Sequence, residues 1–357
     1  MSRDGIAYAA NLALEPTRPI VRGNLAPRRA AQRESLDREF PQELSMKNLV
    51  PRIVLIVASL SLALTTPAAH AQGRGGFDPV VADLSPIDLE FPPSNLELHI
   101  VSHGARLNGV LLMAQGPGPH PTVVFLHGFP GVERNLDLAQ VVRRASFNAL
   151  YFNYRGTWGS GGIFSWSHAL EDTAVVLQYL RSQEVRERYR VDSSRIVLVG
   201  HSLGGWAALM TAAVDRGVAC VASLGGGNMS RSGALMRSDV KLRKDVEEDF
   251  GLSIAARGGP VRAESGAALV RQLMENADQF DVVRRAGSLR DRALLLITGS
   301  RDEDLPPPFQ LHEPLAAALA GAPRVRTLVL NDDHAFSANR IALGRSLLEW
   351  LRNDCGY

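Results

Sequence analysis

The 357-residue chain has few cysteines, no excess of charge of either sign, and no apolar run long enough for a permanent membrane helix. Its 39 basic and 37 acidic residues leave a formal charge of +2, a field too weak to favour nucleic acid or an anionic membrane as a partner. The main apolar segment, residues 53–64, is well short of the ~20 residues that a spanning helix needs. Composition indicates a globular protein, because 45% hydrophobic residues can bury a large core.

The two cysteines, Cys220 and Cys355, are too few for a disulfide framework, and neither has the spacing of a metal ligand. Cys220 falls in the apolar run VACVASL, which predicts a buried thiol, and Cys355 lies near the C-terminus. We therefore expect two separate thiols, with a bridge between them as the alternative. No dinucleotide fingerprint, P-loop or metal motif is present, so the sequence implies no cofactor and no metal.

Residues 46–71 have the pattern of a secretory signal peptide. Two positive charges precede twelve mostly apolar residues, and an Ala69-His70-Ala71 tripeptide of the cleavage-site type follows. We expect export to the periplasm or the medium without a stable membrane anchor, and cleavage before Gln72. A transmembrane anchor is the weaker alternative.

The 45 residues before this pattern are polar, carry both charge signs and show no sustained periodicity, which is typical of disorder. Because Met46 and Lys47 would make an ordinary leader start, we also consider residues 1–45 a misassigned extension. Residues 72–94 are predicted to be a linker that begins with the flexible segment GRGGFDP. The main domain is then predicted to cover residues 95–357.

From about residue 95 the chain alternates apolar or β-branched runs with helical patterns, which predicts βαβ units and a mostly parallel sheet. Eight strands are predicted, at 96–102, 109–114, 122–127, 149–154, 195–200, 218–224, 293–299 and 326–331. Apolar residues at steps of three and four predict helices at 136–145, 168–183 and 342–353. Residues 228–289 interrupt this alternation with charged amphipathic segments. They are predicted to form a helical lid, with Asn228 and Met229 near its hinge.

The segment GHSLGGW places a serine between glycines directly after the predicted strand RIVLVG and before the helical pattern WAALMTAA. This strand, turn and helix is the setting in which a GxSxG match predicts a nucleophile. Side chains two residues before and after a nucleophile in so tight a turn would collide, and Gly200 and Gly204 have none. Ser202 is therefore the candidate nucleophile, and a capping serine in a glycine-rich turn is the alternative.

A serine is a weak nucleophile at neutral pH, so it needs a base and a group that orients the base. Asp302 follows the predicted strand ALLLITG, and His334 follows the predicted strand RTLVLN. The carboxyl ends of parallel strands meet at one edge of a sheet, so we expect both residues near Ser202. His334 is the candidate base and Asp302 the candidate acid, with Asp304 the main alternative for the acid.

Acyl transfer also needs N–H donors for an oxyanion. The turn GFPG follows a predicted strand, and Pro130 has no N–H, so the candidate donors are the backbone N–H groups of Phe129 and Leu203. We interpret the neighbouring His127 as structural.

The loop FNYRGTWGSGGIFSW is rich in glycine and aromatic residues. Its Trp158, Phe164 and Trp166 either line a substrate pocket or pack inward, and the pattern favours neither. For Arg155, we favour an internal ion pair over a bond to a substrate carboxylate.

The motifs HGFPG, FNYRGTWGSGG, GHSLGG, TGSRDED and DDHAF together resemble the α/β-hydrolase superfamily, over about residues 95–353. Within it, they are similar to small bacterial enzymes related to the catalytic domain of prolyl-oligopeptidase-type enzymes. The resemblance implies an α/β fold with a mostly parallel eight-stranded sheet, flanking helices, a helical lid and a Ser-His-Asp triad. It does not imply a substrate, since this fold supports many activities.

Three functions are compatible with these residues. The favoured one is a serine hydrolase that cleaves a small carboxylic ester. The second is a peptidase or amidase of prolyl-oligopeptidase-like type acting on a short peptide, which is disfavoured because fewer than 30 residues separate the leader from the first strand and leave no place for a propeller domain. The third is an inactive binding protein, which the presence of serine, histidine and acid together disfavours.

Overall fold

The structure, a computed structural model, describes residues 76–357. The predicted extension at 1–45 and the predicted leader at 46–71 lie outside these residues. Part of the predicted linker is described, and it is attached to the rest of the domain. The Arg144 guanidinium donates to the Pro79 carbonyl at 2.6 Å, and Arg345 pairs with Asp78 at 3.0 Å. The segment from Asp78 onward therefore packs on the domain and is not a free spacer.

Eight strands form one sheet, and each overlaps a predicted strand. They are β1 (Ser94–Ser102), β2 (Ala105–Met113), β3 (His120–Leu126), β4 (Asn148–Phe152), β5 (Val191–His201), β6 (Val218–Leu224), β7 (Ala293–Gly299) and β8 (Val325–Leu330). Their order across the sheet is β1-β2-β4-β3-β5-β6-β7-β8. The β1–β2 and β2–β4 pairs are antiparallel, and all other neighbours are parallel. The predicted mostly parallel sheet is confirmed.

The burial of each strand follows its place in the sheet. Every residue of β4 is buried, and so are the last six residues of β5, because helices cover both faces of a parallel sheet. The first strand alternates between buried and exposed residues along its second half, and β8 has no fully buried residue. Continuous apolar runs therefore mark the centre of the sheet, where the candidate nucleophile is located.

Nine α-helices pack around or extend from this sheet within the described residues. They are α1 (Leu136–Arg144), α2 (Trp166–Arg181), α3 (Gln183–Arg188), α4 (Leu203–Val214), α5 (Met229–Ser238), α6 (Val240–Ala255), α7 (Gly266–Glu275), α8 (His312–Ala318) and α9 (Arg340–Asn353). One core cluster contains buried residues of α2 and α4, and the other contains those of α1 and α9. The two clusters occupy opposite faces of the sheet, as the alternating burial of the strand residues requires.

The helices differ from the prediction in two ways, each for a local reason. The second helix begins at Trp166, two residues before the predicted start, because the Ser165 hydroxyl caps it by accepting the His168 N–H at 3.1 Å. The short helices α3 and α8 were not predicted at all. With six and seven residues, each is too short to show a clear apolar period.

The predicted insertion between β6 and β7 is helical. It contains α5, α6 and α7 and a 3₁₀ helix at Val283–Leu289. The seventh helix is tied to the domain by the indole of Trp166, which donates to the Leu269 carbonyl at 2.8 Å. In contrast, α6 has no buried residue, so it contributes least to the core.

The prediction of two separate thiols is wrong. Cys220 and Cys355 form a disulfide, with their Cα atoms 6.0 Å apart. They are 135 residues apart in the sequence, and they meet because α9 packs on the sheet face that contains Cys220. Among the described residues, no helix combines the length and apolar character needed to cross a membrane.

Candidate active site

Ser202 lies in the turn between β5 and α4, in a backbone conformation that is rare for a residue with a side chain. Its φ is 55° and its ψ is −117°. The two flanking glycines are required by close backbone contacts. A Cβ on Gly200 would lie 2.0 Å from the Gly204 carbonyl oxygen, and one on Gly204 would lie 2.0 Å from the Leu126 carbonyl oxygen. The turn therefore has the sharp geometry that the GxSxG pattern predicts.

Asp302 and His334 are joined by a hydrogen bond of 2.7 Å between Oδ2 and Nδ1. The Asp302 side chain is fully buried, whereas 13% of the His334 side chain is exposed. The other carboxylate oxygen of Asp302 accepts the Leu305 N–H at 2.8 Å, which fixes its orientation. A carboxylate only accepts hydrogen bonds, so Nδ1 holds the proton and Nε2 has the lone pair. Asp304, the alternative acid, is exposed and forms no such bond among the described residues.

Ser202 and His334 both contact the end of β6 and the residue that follows it. The Ser202 N–H donates to the Leu224 carbonyl at 2.8 Å. The next residue, Gly225, lies against the base, since a Cβ there would be 3.3 Å from Cε1 and Nδ1 of His334. No hydrogen bond joins the Ser202 hydroxyl to His334 within residues 76–357. Such bonds are often long without substrate and shorten in the Michaelis complex.

The turn Gly128-Phe129-Pro130 lies directly beside Ser202. A Cβ on Gly128 would be 3.0 Å from the Ser202 Cβ. The backbone N–H groups of Phe129 and Leu203 have no acceptor among the described residues, and Leu203 is the first residue of α4. Unsatisfied N–H groups beside a nucleophile, one of them at a helix N-terminus, are suited to binding negative charge.

The three loop aromatics occupy different environments. Phe164 and Trp166 are buried in the core cluster beneath α7. Of the two alternatives left open by the sequence, these two residues pack inward. Trp158 is half-buried, donates to the Pro130 carbonyl at 2.8 Å and lies beneath the Arg134 guanidinium at 4.2 Å. A role for any of them in a substrate pocket stays a prediction.

Phe129 connects the buried aromatics to the insertion. Its ring is 5.3 Å from the rings of Phe164 and Trp166 and 5.2 Å from that of Phe250 on α6. The insertion therefore contacts the turn that carries a candidate oxyanion donor.

Two further polar residues have the structural roles that we interpreted from the sequence. Arg155 pairs with the buried carboxylate of Asp172 at 2.6 Å and also with Glu171, so it is not available to a substrate. Nδ1 of His127 bonds the Gly128 carbonyl at 2.7 Å, and Nε2 lies 3.3 Å from the Thr157 hydroxyl. Burial lowers the pKa of His127 to about 4, so this imidazole is neutral at pH 7.

Sequence reasoning missed two buried histidines at this edge. His201 precedes Ser202, and its Nε2 lies 2.8 Å from the backbone carbonyl of His334. His312 bonds the Ser223 hydroxyl at 2.8 Å through Nε2 and the Thr298 hydroxyl at 2.9 Å through Nδ1. Burial lowers the pKa of each to about 3. The position of His201 inside the GHSLGG motif was the signal that would have found it; His312 had none.

A surface cleft of about 680 Å³ lies beside strands β1, β2 and β4 and helix α1. Arg134, Tyr151 and Asn153 are among its lining residues, and none of the candidate catalytic residues is. This cleft therefore does not belong to the candidate active site.

Comparison with known proteins identifies the family. The model of the alpha/beta hydrolase family matches residues 123–346, more than half of the chain. The chain belongs to the α/β-hydrolase family, and as such it is a hydrolase. It is 28% identical over 230 residues to the Salmonella typhimurium protein YfhR, a match that covers 64% of this chain and 69% of YfhR.

Solved structures show the same fold at low sequence identity. An esterase from Pyrococcus furiosus is 18% identical with a TM-score of 0.53, and the match covers 76% of this chain and 95% of the esterase. An acylaminoacyl peptidase from Pyrococcus horikoshii is 16% identical with a TM-score of 0.53, covering 75% of this chain and 42% of the peptidase. Esterases and peptidases are thus both among the neighbours, and at this identity the likeness concerns the fold alone.

Proposed function

We propose that this protein is a serine hydrolase that cleaves a carboxylic ester through an acyl-enzyme on Ser202. The observation that carries the proposal is the 2.7 Å bond between His334 Nδ1 and Asp302, at the sheet edge where Ser202 lies. This bond directs the basic Nε2 away from the acid, and a serine nucleophile needs such a base. The strained turn at Ser202 adds further support, and so do the N–H groups of Phe129 and Leu203, which have no acceptor within residues 76–357.

The proposed reaction has two half-reactions. The Ser202 hydroxyl gives its proton to His334 Nε2 while its oxygen bonds the ester carbonyl carbon, and the N–H groups of Phe129 and Leu203 bind the resulting oxyanion. His334 then protonates the alcohol oxygen as the carbon–oxygen bond breaks. In the second half, water gives a proton to His334 while its oxygen bonds the acyl carbon. The bond between the Ser202 oxygen and that carbon then breaks, His334 returns the proton to Ser202, and the carboxylic acid leaves. Asp302 keeps the imidazole in one tautomer and stabilises its charged form.

The proposal is tested by hydrolysis of short p-nitrophenyl esters with the purified protein and its Ser202→Ala variant. We expect the variant to lose about three orders of magnitude or more in kcat, because the three residues act as a unit. Ser300→Ala is a matched control, since this serine also follows a strand at the carboxyl edge but is exposed. Unchanged turnover in Ser202→Ala would contradict the proposal.

The same assay separates ester from amide cleavage. Aminoacyl anilides test peptidase activity with the same nucleophile, and we expect their kcat/KM to be below that of the esters. A fluorophosphonate probe should label Ser202 in the folded wild-type protein. Faster anilide cleavage would make the protein a peptidase, and failure of labelling would indicate an inactive binding protein.

We also propose that the protein is exported. The signal pattern at 46–71 supports this, and so does the bridge between Cys220 and Cys355, because disulfides persist mainly in oxidising compartments. The test is N-terminal sequencing of the native protein, which should begin at Gln72. A start near Ser2 would contradict both export and cleavage.

A further inference from the structure

His201 is a buried histidine next to the candidate nucleophile, and the proposed reaction does not use it. It ends β5 and is 5% exposed. Its Nε2 lies 2.8 Å from the backbone carbonyl of His334, and the two imidazole rings are 4.7 Å apart. A carbonyl only accepts hydrogen bonds, so Nε2 of His201 holds the proton. The tautomer of His201 is therefore fixed by the residue proposed as the base.

The other nitrogen of His201 has no partner in the part of the chain that the structure describes. Nδ1 is buried and has no hydrogen bond among the described residues. It is next to the oxyanion turn, since a Cβ on Gly128 would lie 3.3 Å from it and 3.0 Å from the Ser202 Cβ. An unsatisfied buried nitrogen costs stability, and an apolar side chain of similar size would avoid that cost. The bond from Nε2 is thus the polar interaction for which a histidine, rather than an apolar residue, is needed here.

The loop of His334 is held at separate points. Asp332 accepts the N–H groups of Asp333, before the base, and of Ala338, after it, at 2.9 and 3.1 Å. The imidazole itself is held by Asp302. The carbonyl of His334 receives its hydrogen bond from His201. Without that bond, the backbone that carries the base would lose its direct polar contact with the strand that carries the nucleophile.

We propose that His201 is a positioning residue, which ties the backbone of His334 to the end of β5 and so sets the distance between the base and Ser202. This inference rests on the proposed function. Small errors in the placement of a base cost large factors in rate, because proton transfer requires hydrogen-bond geometry. The His201 imidazole lies between the base and the oxyanion turn, so its position affects the placement of both.

His201 is suited to this role because it stays neutral. Burial, together with the nearby His334, Arg340 and His127, lowers its pKa to about 3, although the bond to the His334 backbone acts in the opposite direction. These are the titratable groups that influence it, and each disfavours a second positive charge. A neutral His201 leaves His334 free to accept the proton of Ser202, whereas a charged one would oppose that transfer.

The experiment compares His201→Leu, His201→Gln and the wild type on p-nitrophenyl esters. Leucine removes the donor, whereas the amide of glutamine retains an N–H at a similar reach. We expect kcat to fall about tenfold or more in His201→Leu with KM within twofold, and most of the loss to be restored in His201→Gln. If the leucine variant does not fold, His201→Asn replaces it, since its shorter side chain does not reach the carbonyl.

His120→Leu is the matched control. His120 is also buried, and its ring nitrogens lie 3.1 Å from the Ser146 and Gly116 carbonyls, but it is at the opposite end of the strands. We expect this control to lower the midpoint of thermal unfolding without changing kcat. A fall in kcat in His120→Leu equal to that in His201→Leu would assign the effect to stability and overturn the inference.

A double-mutant cycle tests whether His201 acts through the base. In a His334→Ala background, His201→Leu should cause no further loss of kcat. An equal loss in both backgrounds, or equal kcat in the asparagine and glutamine variants, would overturn the inference alone. If His334→Ala and Ser202→Ala themselves retain wild-type turnover, the proposed function fails instead.

Discussion

Asn148 at the amino edge of the parallel strands and His201 at the carboxyl edge are both buried, but their polar atoms are paired differently. At the amino edge, both polar atoms of the Asn148 side chain have a partner: Oδ1 accepts the Ala114 N–H at 3.0 Å, and Nδ2 donates to the Tyr189 carbonyl at 2.9 Å. At the carboxyl edge, Ser202 has a strained backbone, and His201 leaves Nδ1 unpaired within the described chain. Asn148 and His201 are both buried, so burial alone does not explain the difference between them.

We attribute this difference to function. The fold accepts less stable arrangements at Ser202 and His201, where the proposed reaction takes place. Strained backbone and unsatisfied polar groups persist only where the surrounding structure enforces them, and they concentrate at functional sites. Asn148 instead connects the end of β2 to the segment before β5. Ser146 and Arg190 at the same edge also have a positive φ, so the contrast concerns Asn148 and His201 and not the two edges as a whole. Changes at His201 should therefore affect rate more than stability, and changes at Asn148 should do the reverse.

The largest effect is expected at Asp302. In Asp302→Asn, the amide would present N–H instead of oxygen to His334 Nδ1, which reverses the imidazole tautomer and removes the lone pair from Nε2. We expect kcat on esters to fall about 10³-fold or more, with a small change in thermal midpoint. Asp304→Asn, an exposed neighbour, should change kcat less than about twofold. Equal losses in both variants would contradict the assignment of the acid.

Acid should destabilise the protein through histidines at the carboxyl edge. The pKa values of His127, His201 and His312 fall from 6.5 to about 4, 3 and 3 in the folded state. Below about pH 6.5 the unfolded chain binds protons that the folded chain does not, so stability falls as the pH decreases toward these values. Each histidine contributes a slope of up to about 1.4 kcal/mol per pH unit.

Urea unfolding at several pH values between 7 and 4.5 measures this slope. His312→Gln removes one of the three titrations and should make the slope smaller by about a third. This variant also localises the effect, because His312 lies between Ser223 and Thr298 at the ends of β6 and β7. A slope that is the same in the wild type and in the variant would show that other groups cause the acid sensitivity.

The amino edge should show the opposite pattern in Asn148→Ala. The substitution leaves the Ala114 N–H and the Tyr189 carbonyl buried without their partner, which should destabilise the fold by about 2–3 kcal/mol. The kcat of the remaining folded protein should be unchanged, because Asn148 is at the far end of β4 from the candidate site. Active-site titration with a fluorophosphonate gives the folded fraction. A lower kcat per labelled site would contradict the prediction that Asn148 affects stability alone.

Much of this architecture could be predicted from the sequence because the relevant signals are local. Each strand is a short apolar run, and Ser202, Asp302 and His334 each follow one within a few residues. Since parallel strands end at the same edge, three separate local patterns were enough to predict a single site. Asp302 and His334 are in direct contact, as expected for an acid and its base.

The features that were missed depend on contacts between distant segments. The bridge of Cys220 to Cys355 spans 135 residues, and the bond from His201 to the backbone of His334 spans 133. A backbone carbonyl has no sequence signature, so the partner of His201 could not be predicted. Similarly, an aromatic residue in a glycine-rich loop looks the same whether it faces a ligand or the core. The acceptor for the Trp166 indole, Leu269, is a hundred residues further along the chain.

The smallest effect is expected in the insertion, at Phe250. Its ring lies 5.2 Å from that of Phe129 and 5.5 Å from that of Trp166, so Phe250→Ala removes two aromatic pairs worth about 0.5–1.5 kcal/mol each. Because α6 has no buried residue, we expect stability to change little more than this. If the insertion covers the site, the KM for esters should rise a few-fold, since Phe250 supports the turn of Phe129. Leu252→Ala, an exposed residue on the same helix, should leave KM unchanged. Equal KM values in the two variants would show that the insertion does not affect substrate binding at the carboxyl edge.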